Sequence, residues 1–157
     1  MASSARTSNA AAVPKPVRSW LTVVTAYHLC DAAMTQQLAP LGIKLPEHEV
    51  LSHVLRDPGI SQQALAARCF TAKSHISGLV ASLEERGWLL RERDPADGRA
   101  RRLSLTAAGR TMAERSVAVQ AFIVKTMAEA VSAEELLLVE QAMARVNERL
   151  RALLAEG

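Results

Sequence analysis

The sequence predicts a mainly helical chain carrying one small β-hairpin, and three observations lead there. Alanine and leucine, both strong helix formers, dominate the composition. Apolar residues recur at helical spacing through most of the chain. One segment, residues 88–105, breaks that period with two strand-like runs around a turn that contains Pro95 and Gly98. A chain of 157 residues fits one domain, or one domain with an added assembly surface. Its aromatic residues are Trp20, Tyr27, Phe70, Trp88 and Phe122, so the core is expected to be aliphatic.

The elements follow in order. An Ala/Ser-rich start with Pro14 and Pro16 reads as a flexible tail over residues 1–16, not as a secretory signal. A largely apolar helix is expected from Val17 to Leu38, ended by Pro40 and Gly42. Pro46 opens a short helix over residues 46–55, where Val50, Leu51, Val54 and Leu55 keep helical spacing. Asp57-Pro58-Gly59 is a turn. Ser61 caps a helix over residues 62–68, and Thr71 caps another that runs to Arg86 and stops at Gly87. Within it Ile76, Leu79, Val80 and Leu83 form one inward stripe. Two short helices joined by a tight turn make a helix-turn-helix, and the hairpin directly after it makes a winged helix. Thr106 caps a long helix to about Ala130, and the capping box Ser132-Ala133-Glu134-Glu135 opens the last one. In that helix Leu136, Val139, Met143, Val146, Leu150 and Leu153 repeat like a coiled-coil seam. The expected organisation is therefore a helical dimerisation region, residues 17–45 and 107–157, around a winged helix-turn-helix over residues 46–106.

Charge points to the partner. The formal net charge is only +3, yet Arg86, Arg91, Arg93, Arg99, Arg101, Arg102 and Arg110 fall in one stretch against Glu92, Asp94 and Asp97. A local basic patch of this kind is the footprint of a polyanion binder. The helix over residues 72–86 presents Thr71, Ser74, Ser77, Gly78 and Ala81 opposite its apolar stripe, with Lys73 and His75 on the flanks. Small hydroxyl side chains at the start of a recognition helix suit base edges and phosphates in the major groove. Ser61 and Gln62, at the start of the preceding helix, join that surface. Arg99 and Arg101 share one strand face near the hairpin tip and suit a narrow minor groove. Asp97 either aims Arg99 or shapes the turn, and the two roles are compatible.

Residues 87–109, from Gly87-Trp88-Leu89 through Asp97-Gly98-Arg99 to Leu105-Thr106-Ala107-Ala108-Gly109, resemble the wing signature of the MarR (multiple antibiotic resistance regulator) family. That signature is Asp-x-Arg at the wing followed by Leu-Thr-x-x-Gly, places held here by Asp97, Arg99, Leu105, Thr106 and Gly109. The resemblance extends in helix order over roughly residues 18–155 and includes Leu45-Pro46. Gly98 departs from it, where many members carry another arginine. The resemblance implies a homodimeric transcription regulator in the cytoplasm, expected to be a ligand-responsive repressor on palindromic double-stranded operators. It also implies a small phenolic or anionic effector between the dimerisation helices and the DNA-binding lobe, with Trp20, Tyr27, His28, His48 and His53 as candidate lining.

Other functions fit less well. Two alternatives remain: a thiol- or oxidant-sensing regulator of the same fold, and a winged-helix protein-interaction module without DNA binding. Cys30 and Cys69 fall within helical patterns and read as small buried hydrophobes. No cofactor or metal is expected: the zinc-sensing branch of the family it resembles carries paired histidines in the long fifth helix, and no histidine follows His75 here; no run approaches a membrane span. The absence of a nucleophile–base set or phosphate loop argues against an enzyme.

Overall fold

The computed structural model describes residues 14–94 and 101–156. Helix α1 spans Lys15–Leu38, and a 3-10 turn, Ala39–Leu41, continues it. The α-helix ends at Leu38 as expected, Pro40 falls inside the tighter turn, and Gly42, with φ 69°, reverses the chain. Helix α2 follows at Leu45–Arg56, with the Glu47 carboxylate accepting from the Lys44 N–H at 2.7 Å. Next come β1 (Ile60–Ser61), α3 (Gln62–Arg68), α4 (Lys73–Glu85), β2 (Leu89–Arg93), β3 (Arg101–Leu105), α5 (Ala107–Ala128) and α6 (Ala133–Ala155).

The expected hairpin is part of a three-stranded antiparallel sheet in the order β1-β3-β2. Sequence pattern did not disclose β1, whose two residues are too few to show alternation. It pairs Ile60 with Leu103 and Ser61 with Arg102. In the hairpin proper Leu89 opposes Leu105, Arg91 opposes Leu103 and Arg93 opposes Arg101. This register places Leu89, Leu103 and Leu105 on one face, against α4 and α2.

One aliphatic core holds these pieces. Leu38, Val50, Leu51, Leu65, Ile76, Val80, Leu83 and Leu103 are fully buried, and Met34, Ala113 and Ile123 join them from α1 and α5. Helices α1 and α5 therefore share a core with the winged module. Helix α6 differs, since none of its residues is buried.

The caps explain where most helices begin. Ser61, Thr106 and Ser132 each accept the N–H three residues on, from Ala64, Gly109 and Glu135. The expected cap at Thr71 is a correction. The Thr71 N–H is spent on the Ala66 carbonyl at the end of α3, and Phe70 adopts a left-handed φ of 49°. The chain needs one further residue to turn, so Ala72 takes the cap position without a side-chain bond, and α4 starts at Lys73.

Candidate nucleic-acid interface and adjoining cavity

Helix α4 buries Ile76, Val80 and Leu83 and turns Lys73, Ser74, His75 and Gly78 outward, with Ser77 half-buried beside them. A Cβ at Gly78 would meet nothing within 4 Å, so no internal packing requires glycine there. Thr71 is half-buried just ahead of the helix. Ser61 and Gln62 are half-buried at the start of α3, the Ser61 hydroxyl being engaged as a cap at 3.1 Å from the Ala64 nitrogen. Phe70, which sequence reasoning passed over, stands 94% exposed between α3 and α4.

The arginines of the basic stretch divide by what they touch. Arg86 bonds the Glu47 carboxylate (3.2 Å) and the Gly42 carbonyl (3.0 Å) and lies 3.7 Å over the Trp88 ring. Arg91 pairs with Glu84 of α4 at 2.7 Å, and Arg102 with Asp94 at 2.9 Å and the Gly59 carbonyl at 3.2 Å. Arg91 and Arg102 hold the hairpin to the body, while Arg86 ties the end of α4 to α2. Arg93 and Arg101 make no ion pair among the described residues and stand directly opposite each other across the ladder. Like charges at that spacing repel, so this end of the hairpin is built at a cost that a polyanion would offset. Arg93 was missed from sequence, although centring the turn on Asp97 pairs it with Arg101. Asp97 and Arg99 lie outside the described residues.

On the other side of α2 a cavity of about 180 Å³ opens between α1, α2 and α5. Tyr27, Cys30, Asp31, Met34, His48, Glu49, Gln120 and Ile123 are among its lining residues. Of the expected effector residues, Tyr27 and His48 meet here; Trp20, His28 and His53 do not line it. Trp20 is exposed on α1, and His28, exposed, makes an edge contact with Tyr27 at 5.5 Å. His53 is half-buried on α2. His48 is only 2% exposed, with Nδ1 2.9 Å from the Ser116 Oγ. Burial first, then the charges of Arg56 and His53, hold its pKa below the ordinary histidine range. Burial, then the Arg56 and Arg68 charges, lowers His53 likewise.

Burial and the nearby Glu49 charge push the Cys69 thiol up, away from the thiolate that a reactive cysteine requires. Among the described residues no group of three His, Cys, Asp or Glu side chains is placed to hold a metal ion, and no helix is long and apolar enough to cross a membrane.

Residues 41–100 match the family profile described as MarR family. Over 90 residues the chain is 31% identical to the transcriptional regulator HosA of Escherichia coli, covering 57% of this chain and 67% of that one. The chain belongs to the MarR family. It is also 34% identical over 82 residues to the HTH-type transcriptional repressor Rv2887 of Mycobacterium tuberculosis, covering 52% of this chain and 59% of that relative. Both names describe regulators, not enzymes. MarR-family structures share the fold. AbsC of Streptomyces coelicolor superposes with a TM-score of 0.81 at 20% identity, over 89% of this chain and 97% of that one. PcaV of the same organism, solved with its natural ligand, gives 0.69 at 26% identity, over 88% and 97%. The MepR–DNA complex of S. aureus gives 0.71 at 22% identity, over 85% and 96%.

Proposed function

We propose that this MarR-family chain is a homodimeric, sequence-specific repressor that binds palindromic duplex operators and releases them on binding a small effector. The observation that carries the DNA reading is the Arg93–Arg101 pair, which makes no ion pair among the described residues, together with the polar outer face of α4. A protein-contact module has no need of two facing guanidinium groups at a hairpin end. In this reading Ser61, Gln62, Thr71, Lys73, Ser74, His75, Ser77 and Gly78 form the major-groove surface, and Arg93, Arg101, Arg99 and Asp97 the wing contact. The solved MepR–DNA complex, with the same fold, supports it. A cytoplasmic location follows from this role.

The dimer reading rests on the terminal helices. Leu136, Val139, Val146, Leu150 and Leu153 of α6 are all exposed, as are Trp20, Leu21 and Val23 of α1. An apolar surface of that extent calls for a partner, and a twofold copy supplies the matching surface. Residues 17–45 and 107–157 then form the dimerisation region around residues 46–106. The cavity at His48 lies where these two regions meet and is the proposed effector site; PcaV, solved with its natural ligand, is a relative in which a small molecule binds.

Binding to a random-sequence 30-base-pair duplex, followed by gel shift across a salt series, tests the DNA reading. Affinity is expected to fall steeply and linearly on logarithmic axes as salt rises. No shift at low salt would refute it.

A further inference from the structure

The hydrogen bonds behind the cavity dictate what it offers. The Ser116 Oγ lies 2.9 Å from the Ala113 carbonyl and 2.9 Å from His48 Nδ1. Both contacts are hydrogen bonds at once only when Oγ donates its single proton to the Ala113 carbonyl. Nδ1 must then carry the imidazole proton and donate it to Oγ. Nε2 is left as a bare lone pair, without a partner among the described residues, on a side chain that is 2% exposed and lines the cavity. An unpartnered lone pair open to the cavity can accept a hydrogen bond from a ligand donor.

The charges of the wall ask for the same thing. Asp31 and Glu49 are its ionisable acids, and a cation, Arg56, touches the wall from outside the lining, donating to Gln120 at 3.3 Å. Neither carboxylate makes an ion pair among the described residues, and burial, then the Asp31 charge, pushes the Glu49 pKa up. Tyr27 adds an aromatic ring, whose face attracts cations, while Met34 and Ile123 supply apolar wall. A carboxylate ligand would meet a lone pair and two like charges. A metal ion would need a closer donor set than the described residues provide.

We propose that this cavity takes an organic cation, a protonated amine on an apolar body, with the ammonium between Asp31 and Glu49 and an N–H donated to His48 Nε2. The proposal rests on the effector reading above and reverses the charge expected from the family resemblance. Bound there, the cation would bridge α1 and α2, the elements that carry the two acids.

The test uses the full-length protein and matched probes of opposite charge: benzylammonium against benzoate, and 2-naphthylmethylammonium against 2-naphthoate. Calorimetric affinity and release of a bound 30-base-pair duplex are read for each. The ammonium probes are expected to bind at least about tenfold more tightly than the carboxylates, the preference that two nearby carboxylates confer. Glu49→Gln and Asp31→Asn should each erode that preference, and Glu49→Lys should invert it. Because Glu49 lies at the exposed edge of the wall, its variants report even if Asp31→Asn does not fold. Carboxylates binding as well as ammonium probes would overturn the charge assignment and leave the effector cavity standing. Ammonium binding that the Glu49 variants leave unaltered would overturn the site. Failure of every probe to bind would remove the effector cavity itself, and the proposal with it.

Discussion

Gly109 shows how a short motif becomes geometry. A Cβ at this buried position would overlap the Trp88 carbonyl, which is backbone. That carbonyl cannot step aside easily, because it accepts from the Thr106 N–H at 3.1 Å while the Trp88 N–H is held by Leu83 at 3.0 Å. Thr106 adds a bond from its hydroxyl to the Gly87 carbonyl at 2.7 Å. The Leu-Thr-x-x-Gly run therefore joins the end of α4, the start of β2 and the first turn of α5. Gly109→Ala is expected to cost about 3 kcal/mol by overpacking, read as a lower urea midpoint. A midpoint equal to wild type would mean that α5 slides freely over Trp88. A pH effect belongs to the same scale. His48 and His53 both have folded-state pKa values below the unfolded value. The folded chain thus binds fewer protons, and their contribution is present above about pH 6.5 and lost as pH falls towards the folded values. Melting temperature should drop between pH 7 and pH 5, and His48→Gln should flatten that drop. Glu49 acts in the opposite sense, its pKa raised by burial and by Asp31, and enters lower on the scale. An unchanged slope in the His48 variant would place the titration elsewhere.

At the level of elements, the hairpin is both anchored and primed. Arg91 and Arg102 tie it to α4 and to the Asp57–Gly59 turn region, while Arg93 and Arg101 face each other unpaired among the described residues. Arg93→Ala and Arg101→Ala are each expected to lower the salt slope of duplex binding by about 0.9, one phosphate contact apiece, without loss of stability. Equal slopes in wild type and both variants would remove the wing from the interface. The helices were legible in the sequence wherever a side chain caps them: Ser61, Thr106 and Ser132 mark true starts. Thr71 misled because its backbone closes α3, a fact set by the left-handed Phe70 and not by local composition. Strand β1 was invisible because its two residues pair with Leu103 and Arg102, some forty positions away. The division of the arginines was hidden for the same reason. Arg86 looks like any other basic residue until Glu47, Gly42 and Trp88 are brought beside it. The His48–Ser116 bond, which spans 68 positions, has no local signal at all.

For the whole molecule, the decisive quantity is the apolar surface of α6 and α1. Leu150→Glu is expected to shift the protein from dimer to monomer in sedimentation at micromolar concentration, with a large loss of duplex affinity. A variant that stays dimeric would move the interface off the α6 stripe. The sheet constrains how such a dimer responds to a ligand. Ser61 is at once a strand residue paired with Arg102 and the cap of α3. Arg91 fastens β2 to α4, and Arg102 fastens β3 to Gly59. In mechanical terms these bonds brace α3, α4 and the described strands against one another. In the proposed dimer, a signal arriving at the α1–α2–α5 junction is expected to turn each lobe as a unit. The expected change is in the span between the two recognition helices of that proposed dimer, measured against the pitch of the double helix.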